Sequence, residues 1–378
     1  MCQHRYSSPI SKAQTERADD IVARELEQLR RDATADATSR RQEYLFAAPA
    51  SLDGWLRGMV NDQRDMPLVY LLFNIICTSC PAAALIWVWP CTSHWVGAAY
   101  LAATYALFLQ RFMLTLHFSE HRPLFRREYR PLNWIAPYLL APLLGVPPGM
   151  YRLHHCIMHH GGNNRWQSDA SSTERYQRDS LFYFFLYWMR YALGSWVELP
   201  WTALRRGGLG ALVRCLVTEA VFLGGTAALL RWRVVPALYT LALPFLLSSL
   251  ALMLGNWSQH VFLEPSAPRQ SLCLTYNCVA CPDNLRSYND GYHAVHHQNP
   301  QAHWTELPAT FLASLDKQAQ AGTFVFRGIQ FFDVGLAVFL GKYDFLARHL
   351  VKYTPELAAA SPEQLRQMFK DRLRPVRL

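Results

Sequence analysis

Four long apolar stretches constrain the fold of this chain more than any other feature of its sequence. A helix needs about 20 apolar residues to cross the hydrocarbon core of a bilayer. A few residues around Thr92 separate the first two stretches, and a short Arg-Trp-Arg connection separates the last two. We therefore predict two helical hairpins that leave both long polar regions on one side of a membrane. The stretches cover residues 68–90, 95–116, 209–230 and 234–254.

The distribution of positive charge predicts which side that is. Residues 1–66 contain ten Lys and Arg, and residues 117–208 contain eleven, whereas the connections within the hairpins contain none and two. Positive residues flank membrane spans on the cytosolic side, so we place the termini and the central region in the cytosol. The net charge of +9 does not predict a nucleic-acid partner, because the arginines lie between apolar runs rather than along one basic stripe.

The remaining segments are expected to lie at or outside the membrane. Residues 134–146 and 181–199 are apolar but interrupted or strongly aromatic, and each is predicted to form an interfacial or re-entrant helix. Residues 17–42 are charged and free of Pro and Gly, which predicts a solvated helix. We divide the chain into a cytosolic helical region (1–66), a membrane domain (67–305) and a cytosolic C-terminal region (306–378).

The cysteines indicate a reducing compartment. Nine are present, without the regular spacing of a disulfide framework. Cys273, Cys278 and Cys281 have part of the spacing of a plant-type iron–sulfur site, but the fourth cysteine of that pattern is missing. We interpret them as reduced thiols.

Histidines occur in four short windows, which contain ten of the 14 histidines of the chain. The windows are His117–His121, 154–160, 256–260 and 293–297. Several pairs, among them His117 with His121 and His155 with His159, are four residues apart and so project from one face of a helix. The first and third windows directly follow the second and fourth apolar stretches. All four windows are therefore predicted to surround one site on the cytosolic side.

This set of side chains has the chemistry of a metal site. Imidazole is a good ligand for iron, copper and zinc, and nine or ten ligands exceed the four that one tetrahedral zinc requires. Two metals, each with an open position, fit the number better. Imidazole also survives beside an oxidising intermediate that would oxidise a thiolate.

In these windows the chain resembles the membrane fatty acid desaturase superfamily, which includes related hydroxylases. Its three histidine boxes correspond to His117–His121, residues 155–160 and residues 293–297, and Asn256 with His260 resembles an additional element of the stearoyl-CoA desaturases. The resemblance covers about residues 65–305. It implies an all-α integral membrane protein, with about four transmembrane helices and a cytosolic helical cap that carries the boxes. It also implies two irons held by nine histidines and by one asparagine through a water; these metal ligands are His117, His121, His155, His159, His160, Asn256, His260, His293, His296 and His297.

Two positions near the second window remain open. His154 and His155 are both candidates for the first ligand of the second box, and we prefer His155 because it shares a helical face with His159. Asp169 resembles an aspartate that commonly follows this box, where it would accept a hydrogen bond from a ligand imidazole. A turn residue preceding Ser171 is the alternative interpretation of Asp169.

The resemblance implies an oxidoreductase that uses O2 on a long-chain fatty acyl or lipid substrate, with no catalytic residue apart from the metal ligands. Desaturation is the leading prediction, and hydroxylation or oxidative decarboxylation to a terminal alkene are alternatives. No haem motif of a fused cytochrome b5 domain is present, so we expect a separate electron donor of cytochrome b5 or ferredoxin type. The expected location is the endoplasmic reticulum or a bacterial inner membrane.

The substrate head group and the class of protein leave further alternatives. Arg122, Arg126, Arg127 and Arg130 could bind the head group of a free acid, a CoA ester or a carrier-protein thioester, or could anchor the membrane interface; a glycerolipid substrate is also open. A membrane metal carrier is the main alternative class. Carriers bind their cargo near the bilayer midplane, however, and the spans are expected to contain no titratable pair.

Overall fold

Helices form most of the chain in the computed structural model, which describes residues 12–38 and 45–376. Two three-residue strands, β1 (Asn277–Val279) and β2 (Val325–Arg327), pair in parallel with Cys278 opposite Phe326. The α-helices are α1 (Lys12–Thr38), α2 (Ala50–Met59), α3 (Met66–Cys77), α4 (Ser79–Val88), α5 (His94–His121), α6 (Met150–Arg152), α7 (His160–Gly162), α8 (Leu181–Met189), α9 (Ser195–Trp232), α10 (Val234–Ala237), α11 (Leu243–Gln259), α12 (His293–Gln298), α13 (Leu307–Ala313), α14 (Leu315–Ala321), α15 (Phe331–Phe339), α16 (Tyr343–His349), α17 (Pro355–Ala359) and α18 (Pro362–Leu373). Five 3-10 turns (Gln63–Asp65, Arg127–Trp134, Pro142–Leu144, Pro282–Leu285 and Trp304–Glu306) and four π-helical turns (Ile135–Leu140, Leu153–His159, Arg190–Gly194 and Leu238–Ala242) complete the helical structure of the described residues.

Four helical stretches are long and apolar enough to cross a membrane, as the sequence predicts. They are Gln63–Val88, His94–His121, Leu181–Trp232 and Val234–Gln259. The second and fourth continue beyond their apolar runs as far as His121 and Gln259. The first window and Asn256 therefore lie in the last turns of long helices, which fixes the direction of these side chains.

The first of these stretches is interrupted in its middle. α3 ends at Cys77 and α4 begins at Ser79, and the intervening Thr78 has non-helical torsion angles of −123° and −71°. Pro81 lacks the N–H that would bond to the carbonyl of Cys77, four residues earlier. The proline therefore explains the break.

The third stretch differs from the prediction. We expected a separate helix over residues 181–199 and a span over 209–230, but the helical run is continuous from Leu181 except at Gly208, where φ is 72°. As a straight helix its 52 residues would measure about 78 Å, far more than the ~30 Å hydrocarbon core. The left-handed backbone at Gly208, which glycine adopts at little cost, divides the run close to the start of the predicted span.

The proline-rich run at 134–146 forms only short turns. Ile135–Leu140 is π-helical and Pro142–Leu144 is a 3-10 turn. This run is not among the membrane-length helices of the described residues, in agreement with the sequence prediction that its prolines break it.

The described residues form two compact units. We call the first, residues 45–161 and 190–253, the span unit, and the second, residues 12–38, 162–189 and 254–376, the terminal unit. In the span unit the ring of Tyr239 lies against Gly97 so closely that a Cβ there would be 2.3 Å from the ring. The packing of α5 against the turn Leu238–Ala242 therefore requires glycine at this position.

Aromatic side chains form the core of the terminal unit. The ring of Phe262 lies 5.5 Å from those of Phe324 and Phe369 and 6.1 Å from that of Phe326. These side chains come from the segment after α11, from β2 and its approach, and from α18. The core thus joins the chain directly after the third window to the C-terminal helix.

The N-terminal helix α1 corrects the expectation of a solvated helix. Residues 12–38 are helical, and the predicted residues 39–42 lie outside the described part of the chain. Ala18, Leu29 and Ala33 are at most 4% exposed, and α1 packs on α13 and α17. Their positions share one helical face, so this face packs on the terminal unit while the opposite face is solvated.

Candidate metal centre

The first two windows form a cluster of imidazoles within the span unit. The Nε2 atom of His155 lies 3.1 Å from that of His121 and 3.1 Å from that of His160. One nitrogen from each of His117, His121 and His155 lies within 4.8 Å of the others. We call His117, His121, His155, His159 and His160 the span cluster. All but His160 are buried.

A π-helical turn brings the second window together. Leu153–His159 is π-helical, and this wider turn bonds residue i to residue i+5. His155 and His160, five residues apart, have ring centroids separated by 4.6 Å, whereas His155 and His159 are 5.7 Å apart. The expected pairing of His155 with His159 on an α-helical face is therefore not the closest contact. π-Turns within helices often occur at functional sites.

The two adjacent candidates of the second window have different neighbours. His155 contacts His121 and His160, as described above. His154 instead packs edge-on against Tyr191, with ring centroids 4.9 Å apart, and lines an apolar groove.

The third and fourth windows form a second cluster within the terminal unit. The ring centroid of His260 lies 5.3 Å from that of His293 and 4.9 Å from that of His297. The Nε2 atoms of His293 and His297 are 3.2 Å apart, and the ring of His296 lies 5.9 Å from that of His293. We call His260, His293, His296 and His297, together with Asn256, the terminal cluster; its four histidines are at most 6% exposed.

A backbone carbonyl fixes the ring of His260. Its Nδ1 lies 2.8 Å from the carbonyl oxygen of Leu274, and such a contact requires that Nδ1 carries the proton. The lone pair of a neutral ring is then on Nε2, where a metal can bind it. Thr173 Oγ1 also donates to the carbonyl of His260, which holds the backbone at this histidine.

The amide of Asn256 is oriented by two hydrogen bonds. Its Nδ2 donates to the carbonyl of Ser171 at 2.9 Å and to Tyr187 Oη at 2.7 Å. Because both amide hydrogens have acceptors, Oδ1 is the amide atom that can accept a further hydrogen bond. The same amide also satisfies a backbone carbonyl, that of Ser171, which lies outside α11.

Asp169 forms a turn in the structure. Its Oδ1 accepts from the backbone N–H of Ser171 at 2.8 Å and from Ser171 Oγ at 2.7 Å, as an Asx turn does. This turn positions the carbonyl of Ser171 that binds Asn256. A contact from Asp169 to an imidazole stays a prediction.

Asp290 is an acidic neighbour of the terminal cluster that the sequence analysis missed. Its Oδ1 lies 3.7 Å from Nδ1 of His293, three residues later, and its Oδ2 accepts from Gln259 Nε2 at 2.8 Å. Burial raises the pKa of Asp290 to about 7. The i, i+3 spacing of Asp290 and His293 was the signal that could have identified it.

The donor set fits a first-row metal. Two nitrogens at about 2.1 Å from one metal and at right angles to each other are about 3.0 Å apart, close to the Nε2 separations in both clusters. Burial lowers the pKa of His155, and its neighbouring imidazoles lower it further. The ring is therefore neutral near pH 7 and can donate its lone pair. The arrangement fits the nitrogen coordination of iron or zinc.

An apolar groove lies beside His154 in the span unit. The open space of this groove, counted together with its mouth to solvent, is about 540 Å3. Met150, Trp196, Leu199 and Phe245 supply apolar surface, and His154 is the histidine of its lining. The lining therefore suits apolar groups.

The interior of the third apolar stretch contains a titratable pair, contrary to expectation. Cys215 Sγ lies 3.7 Å from Glu219 Oε1, and the two residues are 5% and 6% exposed. A single acidic residue within an apolar run is visible in the sequence and could have indicated it. The pair weakens one argument against the carrier class.

The comparison with protein families agrees with this structure. A helical chain with four membrane-length helices and clustered imidazoles is typical of a membrane metalloenzyme. The family model for fatty acid desaturases matches residues 93–327, and the chain therefore belongs to the fatty acid desaturase family. No curated protein and no solved structure gives a significant match. The family implies an oxidoreductase of fatty acids in a membrane setting.

Proposed function

We propose that this protein uses two irons and O2 to oxidise a long-chain fatty acyl substrate, with desaturation as the principal outcome. The observation that carries the proposal is the convergence of imidazole Nε2 atoms at 3.1–3.2 Å within each cluster. Such separations suit atoms that share one metal and not independent surface histidines.

The proposed ligands are the nine histidines of the two clusters and Asn256, which binds through a water. When bound, the irons would supply the activation of O2 and the removal of hydrogen from an unactivated carbon. The protein holds the rings in place, as in the contact of His260 with Leu274 O. Burial of eight of the nine histidines would limit side reactions of oxidising species with solvent.

We propose that the groove beside His154 holds the acyl chain. Its apolar lining suits methylene groups, each of which gains about 0.8 kcal/mol on leaving water. His154 in this proposal contacts substrate and is not a metal ligand.

The arginines that follow the first window bear on the form of the substrate head group. Arg122 pairs with Asp62 at 3.7 Å and Arg126 donates to the carbonyl of Val60. These contacts favour a structural or membrane-anchoring role for two of the four arginines after the first window. Free acid, CoA ester, carrier-protein thioester and glycerolipid remain the candidate forms.

The proposed setting is the endoplasmic reticulum or a bacterial inner membrane, with both clusters on the cytosolic side in a helical cap. The lysine and arginine distribution supports this orientation. Electrons are proposed to come from a separate protein of cytochrome b5 or ferredoxin type.

Expression in a host that lacks related activities, followed by mass spectrometry of its lipids and hydrocarbons, tests the proposal. New double bonds are expected, and they should be absent when His297→Ala is expressed at the same level. New hydroxyls or terminal alkenes would replace desaturation by hydroxylation or decarboxylation. Metal accumulation without any oxygen-dependent product would favour a carrier and overturn the proposed function.

A further inference from the structure

One carboxylate of the N-terminal helix contacts the loop that leads into the fourth window. Asp36 lies near the end of α1 and is 7% exposed. Its Oδ2 accepts from Tyr292 Oη at 2.7 Å, from the backbone N–H of Ala280 at 3.0 Å and from Asn284 Nδ2 at 3.1 Å. Tyr292 directly precedes His293. The carboxylate thus bonds to three points of one loop that is far from α1 in the sequence.

We propose that Asp36 is a positioning residue that holds the fourth window in the geometry required for metal binding. The expected effect on metal binding rests on the proposed function, whereas the positioning of the fourth window does not. Asp36 lies outside the residues 93–327 that define the family match. The inference therefore makes α1 a functional part of the metal centre.

Further hydrogen bonds connect the loop that Asp36 binds to the histidines of the fourth window. Asn284 donates to the carbonyl of Cys278 at 3.0 Å and accepts from the N–H of Gly291 at 3.2 Å. A Cβ at Gly291 would lie 2.5 Å from the same carbonyl, so the two loop segments approach as closely as glycine allows. The Tyr292 side chain is fully buried, and its carbonyl accepts the N–H of His296.

The chemistry of the contact favours a carboxylate at this position. One buried oxygen with three donors forms charge-assisted hydrogen bonds, which are shorter and stronger than neutral ones. Without it, Tyr292 Oη and Asn284 Nδ2 would lose an acceptor in the protein interior, where unsatisfied polar groups are costly. The amide of an Asp36→Asn variant could still present a neutral oxygen to these donors.

General docking of α1 is the competing explanation, and the same helix supplies a matched control. Asp32, one turn earlier and 8% exposed, accepts from Arg327 Nε at 2.7 Å, and Glu25 pairs with Nη1 of the same guanidinium. These ion pairs fasten α1 to β2. The carboxylate of Asp32 bonds to Gln28 and Arg327, which lie outside the loop before the fourth window.

The test compares Asp36→Ala, Asp36→Asn and Asp32→Ala in the full-length protein. Backbone hydrogen exchange is measured first on metal-free protein, at the amides of Gly291, Ala294 and His296 and at reference amides in α18. Iron bound per chain is then measured after reconstitution with ferrous ion. A double-mutant cycle of Asp36→Ala with Tyr292→Phe measures whether the two side chains act through each other.

We expect Asp36→Ala to accelerate exchange at the three amides by about tenfold or more, as loss of charge-assisted bonds to a local structure does. Asp36→Asn should give a smaller increase, and Asp32→Ala should leave these amides unchanged. The iron content should fall in the same order. If Asp36→Ala does not fold, Asp36→Asn and Tyr292→Phe provide the comparison.

Two results would overturn the inference. The first is exchange at the three amides that is equally slow in Asp36→Ala and in the parent protein. The second is equal acceleration by Asp32→Ala, which would mean that Asp36 only contributes to the docking of α1. If the variants show the expected exchange pattern but the parent protein binds no iron, the proposed function is contradicted and the positioning role of Asp36 stands.

Discussion

The span cluster and the terminal cluster present imidazoles by different structural means. In the span cluster, His117 and His121 lie on one turn of α5, and the π-helical turn Leu153–His159 brings His155 next to His160, the first residue of α7. In the terminal cluster, His260 and His293 come from separate segments of the chain, and the bonds that hold them run to distant residues. Thr173 and Leu274 bind His260, and Asn277 Oδ1 accepts the N–H of Ala294 at the start of α12.

Because of this difference, the two clusters should respond to different substitutions. Helical geometry is local, so the span cluster should depend mainly on its own histidines. The terminal cluster depends on a framework of loops and side chains, and substitutions outside it should displace its ligands. Substitutions in and around each cluster test this difference.

The largest effect is expected from His155→Ala in the span cluster. The substitution removes the ring that lies between those of His121 and His160. Activity should fall by at least about 100-fold and iron content should drop, since even residues beyond the ligands cost 10–100-fold. The thermal midpoint should change little, because the helix needs no imidazole. Turnover and iron content of purified protein measure this.

His154→Ala is the control for that substitution. It should retain iron and raise KM, because its side chain lines the groove. Loss of iron in His154→Ala with retention in His155→Ala would reverse the assignment of the ligand.

Arg178→Ala should cause the largest loss of stability in the terminal unit. The buried guanidinium donates to the carbonyls of Thr173, Glu174, Tyr176, Val261, Arg372 and Arg374. Several buried carbonyls would lose their donor, at a cost of about 3–5 kcal/mol. Thermal unfolding and limited proteolysis in detergent measure this. Since Val261 follows His260, iron content should fall as well.

The exposed Arg175 provides the control for Arg178. It stacks on Trp166, and Arg175→Ala should change stability by no more than about 0.5 kcal/mol. Equal stability of the two variants would contradict the view that a distant framework supports the terminal cluster.

Asn256→Ala should separate turnover from metal binding. The nine histidines remain, so most iron should stay bound, while turnover should fall about tenfold or more because the water held by Oδ1 is lost. His260→Ala should lower both quantities. Specific activity near that of the parent protein, with a stability loss of about 0.5–2 kcal/mol, would exclude Asn256 from the site.

The sequence predicted the features that depend on local periodicity. The four apolar helices were identifiable because a bilayer imposes their length and composition. The approximate positions of His117, His121 and Asn256 followed, since each lies directly after an apolar run. Family membership was predictable for the same reason, because the windows and their order are contained in the linear sequence.

Features that depend on tertiary contacts were not predictable. The π-helical turn changes the partner of His155 from residue 159 to residue 160, and its hydrogen-bond shift leaves no clear periodic pattern. The buried face of α1 was too weakly apolar to indicate packing, because Asp32 and Asp36 occupy part of it. Their partners, Arg327 and Tyr292, lie 295 and 256 positions away in the sequence.

The smallest effect is expected from Tyr187→Phe, which tests how the terminal cluster orients Asn256. The phenol oxygen accepts from Asn256 Nδ2 at 2.7 Å, while its ring packs 5.0 Å from that of Trp257. Phenylalanine keeps the ring contact and removes the acceptor, at a cost of about 1 kcal/mol. The amide of Asn256 would keep only Ser171 O as an acceptor and would hold its oxygen less firmly toward the water. Turnover should fall about fivefold, as expected for an interaction of that size, with iron content unchanged. Tyr183→Phe, at a 40% exposed position of the same helix, should leave turnover at the parent value.

In the Asn256→Ala background Tyr187→Phe should have no further effect on turnover, because the two side chains act through one bond. An additive loss in the double variant would mean that Tyr187 acts independently of Asn256, and the framework would then have a second route to the metal centre.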